Sequence, residues 1–132
     1  MALETATQSP MDGRTVGASK AAFLVVAAVP SNDDMADAIV NGGHPQEHPE
    51  DWAGADLNND GKIEGVTEIE VLQGLVYQVI DIAEAAGDVK QLQGGRKAWR
   101  DTDTGHVVIF DPNGPGTGFI PDNPVAYWNG LE

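Results

Sequence analysis

Residues 56–87 read DLNNDGKIEGVTEIEVLQGLVYQVIDIAEAAG and contain the strongest secondary-structure signal of the chain. In its second half apolar residues recur at spacings of three and four: Ile69, Leu72, Val76, Val79 or Ile80, and Ala83. This spacing is typical of an amphipathic helix, and it predicts one from about 68 to 86 that stops at Gly87. Thr67 and Glu70 have the spacing of a capping box at the start of that helix.

The first half of the stretch places oxygen-bearing side chains at alternate positions, followed by a glycine. Asp56, Asn58 and Asp60 stand where positions 1, 3 and 5 of a calcium loop supply ligands. Gly61 stands at position 6, where the chain must turn sharply. Ca²⁺ prefers about six to eight oxygen ligands. The other oxygens that we expect around the ion belong to the Lys62 backbone carbonyl, Glu64 and Glu68.

The spacing of these residues matches D-x-[DN]-x-[DN]-G, and residues 56–68 therefore resemble the calcium loops of the EF-hand and dockerin class. The resemblance implies that Ca²⁺ is the cofactor. The sequence departs from the pattern at position 12, which is Thr67, because the carboxylate of Glu68 comes one residue later. Either Glu68 reaches the ion or water completes the site. A turn without an ion is the alternative, since Asn, Asp and Gly also favour turns.

The chain before the loop does not have the pattern of a second long helix. A short helix is predicted over about 32–41, with Ser31 as its N-cap, and Gly42 and Gly43 end it. The connector that follows contains Pro45 and Pro49, which exclude an α-helix entering the loop. We therefore expect the ion to hold a connector against the start of the long helix and to stabilise the fold.

The C-terminal third has the pattern of a small antiparallel sheet over about 97–120. Residues 97–101 and 106–110 flank a turn that contains a glycine, which predicts a hairpin, and residues 117–120 are a third candidate strand. Tyr127 and Trp128 are expected to be packing anchors. The predicted class is therefore α+β, with both helices packed on this sheet.

The N-terminal part divides into a polar arm and an apolar segment. Residues 1–19 are predicted to be a flexible arm, and residues 20–132 a single acidic domain. The apolar run 21–29 is too short to cross a membrane. It is interpreted as a buried strand or helix segment, with a signal-peptide core as the alternative. It could also pair with another subunit and make the protein part of a larger assembly.

Composition narrows the choice of partners. The 21 acidic and 7 basic residues give a net charge of −14, which repels nucleic acids and anionic membranes. This charge suits cation binding or a basic protein partner, and a halophilic source would also explain it. The chain has no cysteine, which excludes disulfides, thiol catalysis and haem attachment through cysteine. Extracellular modules bind Ca²⁺ with dissociation constants of about 10⁻⁴–10⁻³ M, so even a weak site is filled there. An extracellular or cell-surface location is therefore expected.

Two further groups of side chains are candidate metal ligands. His44 and His48, with Glu47 and Glu50 nearby, could bind Zn or Cu, although Pro45 and Pro49 make a helix unlikely and argue for an exposed acidic loop. The second group surrounds the predicted hairpin, where a solvated turn is the favoured interpretation. Its members are Asp101, Asp103 and Asp111.

A second resemblance offers an enzymatic alternative. Residues 95–128 resemble the C-terminal domains of bacterial polymorphic toxins, with a hairpin, Asp-Pro-Asn-Gly, Thr-x-Phe-x-Pro-Asp and then Tyr-Trp. The resemblance implies a nuclease on the C-terminal sheet. Four basic residues lie in or just before this part: Lys90, Arg96, Lys97 and Arg100. His106 has no acid/base partner that the sequence identifies, and the net charge opposes nucleic-acid binding. The favoured function is therefore a noncatalytic, Ca²⁺-stabilised binding or structural module.

Overall fold

A computed structural model describes residues 30–132. Three α-helices and four strands follow one another: α1 (Asn32–Asn41), α2 (Val66–Ala86), β1 (Val89–Gln91), β2 (Lys97–Arg100), β3 (Val107–Phe110), β4 (Thr117–Phe119) and α3 (Pro124–Asn129). The α+β class and both predicted helices are confirmed. The predictions for 1–19 and for the apolar run 21–29 lie outside the described residues.

The four strands form one antiparallel sheet in the order β1-β2-β3-β4. The predicted hairpin is the β2–β3 pair, in which Trp99 lies opposite Val108 and Ala98 lies opposite Ile109. The third candidate strand is present as β4, which pairs with β3 and lies at one edge of the sheet, with Gly118 opposite Val108. β1 was not predicted. It forms the other edge of the sheet and pairs with β2, with Val89 opposite Trp99.

Alternate residues of the sheet pack into two separate hydrophobic clusters, as the period of a strand requires. Trp99 and Val108 belong to the larger cluster, with the buried residues of α1 and α2. Ala98 and Ile109 belong to the smaller cluster, with Trp128 of α3. Trp128 is thus a packing anchor, as expected, although α3 itself was not predicted. Asn123 caps this helix by accepting the N–H of Ala126 at 3.2 Å.

The connector between α1 and α2 covers the edge strand β4. It contains two 3₁₀ turns, Pro45–Glu47 and Ala53–Ala55, and no α-helix, as the prolines predict. The indole N–H of Trp52 donates to the Gly118 carbonyl at 3.1 Å, and Trp52 is only 2% exposed. A Cβ on Gly118 would lie 3.0 Å from Pro45 Cγ, so glycine permits this close approach. The connector therefore covers an edge that would otherwise offer unpaired backbone groups.

The start of α2 differs from the prediction. The helix begins at Val66, and Gly65 is its N-cap residue with no side-chain cap, so the predicted capping box of Thr67 and Glu70 is wrong. Glu68 in the first turn binds the preceding loop instead. The predicted end is confirmed, because Gly87 adopts a left-handed conformation with φ of 76° and caps the helix. Within residues 30–132, no helix combines the length and apolar character needed to span a bilayer.

Candidate metal-binding loop

The loop of residues 56–65 joins the second 3₁₀ turn to α2 and is anchored at both ends. Ala55 before it is fully buried, and Ile63 within it is 5% exposed and packs in the larger core cluster. Ile63 thus anchors the loop to this cluster. Residues 57–62 are exposed. The chain therefore holds a short, solvent-facing loop against a rigid helix.

Two residues of the loop adopt left-handed conformations. Asn59 has a φ of 59°, and it is the only non-glycine residue with positive φ between residues 30 and 132. Gly61 has a φ of 81°, which supports the sharp turn predicted at position 6. Asparagine tolerates this region better than most residues. The sequence thus places suitable residues at the two positions where the backbone turns back on itself.

The carboxylates of Asp56 and Asp60 accept backbone hydrogen bonds within the loop. Asp56 Oδ1 accepts the N–H of Asp60 at 3.1 Å, and its Oδ2 accepts the N–H of Gly61 at 2.8 Å. Asp60 Oδ1 accepts the N–H of Lys62 at 3.0 Å. The Asp60 bond to the N–H two residues on is that of an Asx turn, whereas the Asp56 bonds reach four and five residues along the loop. Each carboxylate keeps lone pairs for a cation. Both interpretations of the sequence, turn and metal loop, share this local geometry.

Glu68 closes the loop from the first turn of α2. Its Oε2 accepts the N–H of Leu57 at 2.8 Å and, more weakly, that of Asn58 at 3.4 Å. Its Oε1 accepts the N–H of Glu64 at 2.9 Å. The side chain is only 7% exposed. Glu68 therefore acts as a brace that holds the loop backbone by three accepted hydrogen bonds. An ionised carboxylate has about four acceptor positions, so about one remains for a cation.

The predicted ligands fall into two groups. Asn58, Glu64 and Glu68 line one open depression beside the start of α2. Asp56 and Asp60 are absent from the lining of that depression, and their carboxylates engage the turn itself. Lys62 is exposed, and the atom that would bind the ion is its backbone carbonyl oxygen rather than its side chain. Within the described residues 30–132, no three of the four loop carboxylates place ligand atoms within 4.8 Å of one another, so binding one ion would require side chains of the loop to move.

The side chains around the β2–β3 hairpin serve separate turns. Asp101 is 6% exposed, and its Oδ1 accepts the N–H of Asp103 at 2.9 Å. Asp111 lies at the end of β3, where its Oδ1 accepts the N–H of Asn113 at 2.8 Å. Asp101, Asp103 and Asp111 do not form a group of three neighbouring ligand atoms in the part of the chain that the structure describes. The turn interpretation is supported here.

The two connector histidines have different surroundings. The rings of His44 and His48 are 4.9 Å apart, but His44 Nδ1 accepts the Gly118 N–H at 3.1 Å. His48 Nδ1 lies 3.8 Å from Glu50 Oε2 and 4.0 Å from Asp51 Oδ2. The group that forms is thus His48 with Glu50 and Asp51, without His44. Asp51 was missed because only the fold of the connector brings it beside His48.

The basic residues of the C-terminal part are held by neighbours. Lys97 Nζ lies 3.3 Å from Glu84 Oε2, and Arg100 pairs with Asp88 at 3.2 Å. Lys90 donates to the Trp128 carbonyl at 2.6 Å. Arg96 likewise donates to the Gln93 carbonyl at 3.0 Å. These pairings offset or occupy the positive charge that a nucleic-acid surface would need to present.

His106, the histidine of the enzymatic alternative, has two partners that the sequence did not indicate. Its Nε2 lies 2.6 Å from the Asp51 carbonyl, so this nitrogen carries the proton and donates. Its Nδ1 then accepts the Thr104 hydroxyl at 2.7 Å. The ring stacks on Trp52 with centroids 4.2 Å apart. Nε2 and one ring face thus join the hairpin to the connector, while Nδ1 bonds within the hairpin turn.

Comparisons with protein-family models, with curated proteins and with solved structures found no match for this chain.

Proposed function

We propose that this protein is a noncatalytic module whose fold Ca²⁺ stabilises through the loop of residues 56–68. The proposed ligands are those of the sequence pattern: Asp56, Asn58, Asp60, the Lys62 carbonyl, Glu64 and, directly or through water, Glu68. The observation that carries the proposal is the brace made by Glu68. By holding the N–H groups of Leu57 and Asn58, it keeps the loop folded against α2 with Asn58 and Glu64 at the rim of one depression.

Charge supports a cation at this place. Asp60 and Glu64 are exposed on the same short loop as the half-buried Asp56, and the net charge of the chain is −14. Like charges this close repel one another, and a divalent ion would replace that repulsion with attraction. The positive end of the α2 dipole opposes the ion, but its effect is worth only about 0.3–1 kcal/mol. Direct ligation by several oxygens outweighs it.

The proposed site is a stabilising one rather than a switch. A switching calcium loop moves two helices relative to each other, whereas a 3₁₀ turn enters this loop and one helix leaves it. Extracellular modules bind Ca²⁺ with dissociation constants of about 10⁻⁴–10⁻³ M. We expect an affinity in this range for the loop, and we therefore propose an extracellular or cell-surface location. The acidic surface suits a basic protein partner, and self-assembly is the other proposal for its association.

Thermal unfolding during a Ca²⁺ titration tests the proposal. With a dissociation constant of about 10⁻⁴–10⁻³ M, 10 mM Ca²⁺ stabilises the native state by about 1.4–2.7 kcal/mol. For a domain of this size that raises the Tm by on the order of 5–20 °C. Asp60→Asn keeps the shape of the side chain but removes one ligand charge, so the increase should shrink to a few degrees.

The control for charge is Asp81→Asn, on the exposed face of α2. It changes the net charge equally, but about 20 Å of helix separates residue 81 from residue 68. The Ca²⁺ response of this variant should equal that of the unmodified protein. An unchanged Tm at millimolar Ca²⁺, or an equal response in Asp60→Asn, would refute the proposal. NaCl at matched ionic strength removes the general effect of screening.

The nuclease alternative has less support, because the basic residues are paired and His106 is held by the connector. Its test is incubation with RNA and DNA. Cleavage that disappears in His106→Ala would favour it over the calcium module.

A further inference from the structure

A second group of metal-ligating atoms lies outside the calcium loop. His48, Glu50 and Asp51 each offer one ligand atom, and all three atoms lie within 4.8 Å of one another. Among the described residues 30–132, only this group of His, Asp and Glu side chains meets that condition. It differs from the calcium loop in kind, because imidazole nitrogen suits first-row transition metals while Ca²⁺ takes oxygen ligands.

The group is fixed on one turn of the backbone. The N–H of Asp51 donates to the His48 carbonyl at 2.9 Å, and the N–H of His48 donates to the Pro45 carbonyl at 3.0 Å. This tight turn places the three side chains next to one another. Proline at position 45 sets the backbone angle of the preceding 3₁₀ turn.

Contacts with the sheet orient two of the three ligands. Asp51 Oδ2 accepts the N–H of Ile120 at 2.9 Å, just after β4. The ring of His48 lies 5.4 Å from the ring of Phe119. A ligating carboxylate or imidazole that also contacts a neighbouring group is a common feature of metal sites, because the neighbour fixes its orientation. The third ligand, Glu50, has a side chain that is 70% exposed and is free to adjust.

The distances are close to those a tetrahedral ion requires. Zn–N and Zn–O bonds of about 2.0–2.2 Å place adjacent ligand atoms about 3.4 Å apart. His48 Nδ1 is 3.8 Å from Glu50 Oε2 and 4.0 Å from Asp51 Oδ2. The exposed Glu50 side chain can close the His48–Glu50 separation, which needs only about 0.4 Å. The His48–Asp51 pair must close by about 0.6 Å, and the Glu50–Asp51 pair, which lies within 4.8 Å, by at most about 1.4 Å.

The group is accessible and its charge matches a divalent ion. A surface cavity is lined by His48, Glu50 and Asp51 together with Asp122 and the residues that end β4. With His48 neutral, Glu50 and Asp51 contribute two negative charges, which a divalent cation neutralises. The cavity leaves room for a water molecule as the fourth ligand.

We propose that His48 Nδ1, Glu50 and Asp51 form a site for a first-row transition metal of the Zn²⁺ class. This site is separate from the calcium loop and does not depend on it. The sequence pattern alone pointed to His44 as a partner of His48, whereas His44 accepts a backbone hydrogen bond from the sheet. In the folded connector the neighbour of His48 that can bind a metal is therefore Asp51 and not His44.

The test is a Zn²⁺ titration of the full chain by calorimetry, in the presence of about 10 mM Ca²⁺ so that the loop is already occupied. We expect one saturable equivalent of Zn²⁺. Glu50→Gln removes a ligand charge from an exposed residue, so the variant should fold and bind Zn²⁺ at least about tenfold more weakly, as metal-ligand changes commonly do. The matched control is Glu47→Gln, an exposed glutamate outside the group, which should bind as the unmodified protein does.

A spectroscopic arm identifies the histidine. Co²⁺ bound by His48 with oxygen ligands should give visible absorption bands, and His48→Phe should abolish them while keeping a ring beside Phe119. The proposal is overturned if Zn²⁺ binding is unsaturable, if Glu50→Gln binds as tightly as the unmodified protein, or if Asp60→Asn is what removes it. Loss of the Ca²⁺ response in Asp60→Asn, with Zn²⁺ binding intact, separates the two sites.

Discussion

The Glu68 carboxylate accepts a hydrogen bond from the N–H of Leu57 at 2.8 Å, across eleven positions of sequence. The same carboxylate accepts the N–H of Glu64 at 2.9 Å. One side chain in the first turn of the long helix thus holds both sides of the loop. Because Glu68 is 7% exposed, these bonds are protected from water, and their loss is costly.

Replacing Glu68 with glutamine should destabilise the protein by about 1–3 kcal/mol. Glutamine presents N–H₂ to backbone N–H groups on one side of the loop, which leaves donors there without an acceptor. The free energy of unfolding from urea titration, measured without Ca²⁺, checks the value. Glu70→Gln is the control, because Glu70 is exposed two residues further along the same helix. Equal effects of the two changes would show that Glu68 does not brace the loop.

Two glycines of the β3–β4 connection should respond differently to alanine. A Cβ on Gly116 would lie 2.4 Å from the Ile109 carbonyl oxygen and 2.9 Å from Ile39 Cγ1. A Cβ on Gly114 would meet nothing closer than Asp111 Oδ2 at 3.6 Å. Overpacking of this kind costs about 1–3 kcal/mol, and more when backbone must move. Gly116→Ala should therefore lower the Tm clearly while Gly114→Ala changes it little, as differential scanning calorimetry would report.

The pH dependence of stability should include a contribution from Glu84. The Trp99 indole donates to Glu84 Oε2 at 2.9 Å. That hydrogen bond, opposed by partial burial and reinforced by Lys97, lowers the pKa of Glu84 from its usual 4.5. Because the folded-state pKa lies below the unfolded one, the contribution is present above pH 4.5 and is lost as the pH falls through the folded-state value.

Glu84→Gln should therefore be less stable than the unmodified protein at pH 7, and the difference should close as the pH falls below 4.5. The side chain of Glu84 is 37% exposed, so solvent screening keeps the difference below about 1 kcal/mol. Urea titrations at several pH values measure it. A difference that stays constant down to pH 3 would contradict the assignment.

Local patterns predicted most of the elements. Of the strand and the helix that were missed, β1 depends on long-range contacts, whereas α3 had a local signal that was overlooked. The period of α2 and the left-handed Gly87 after it are local properties, so the body and end of that helix were predictable. β1 has only three residues and is a strand because it pairs with β2. No local sequence pattern predicts that pairing. The start of α3 was readable in Asn123-Pro124, since asparagine is a common N-cap and proline is common at the first helical position.

The same distinction applies to the two candidate sites. The spacing of Asp56, Asn58 and Asp60 predicted the sharp turn of this loop, because its geometry is local. The brace by Glu68 was not predicted, since the Thr67–Glu70 pattern suggested a cap that the helix does not use. The turn of residues 48–51 brings Asp51 beside His48, which the histidine spacing did not indicate. The Ile120 N–H then orients the Asp51 carboxylate, and only the fold supplies that contact.

Residue-resolved NMR of the full chain during a Ca²⁺ titration is the decisive experiment, because it reports where the ion binds. We predict saturable shifts of the backbone amides of residues 56–64, with Gly61 among the most affected because its N–H bonds the Asp56 carboxylate. The amides of residues 102–105 in the hairpin turn should stay unchanged, and Asp56→Asn should remove the loop shifts. Loop amides that do not respond at millimolar Ca²⁺, or shifts that spread evenly over acidic surface residues, would contradict the assignment of a calcium site to this loop.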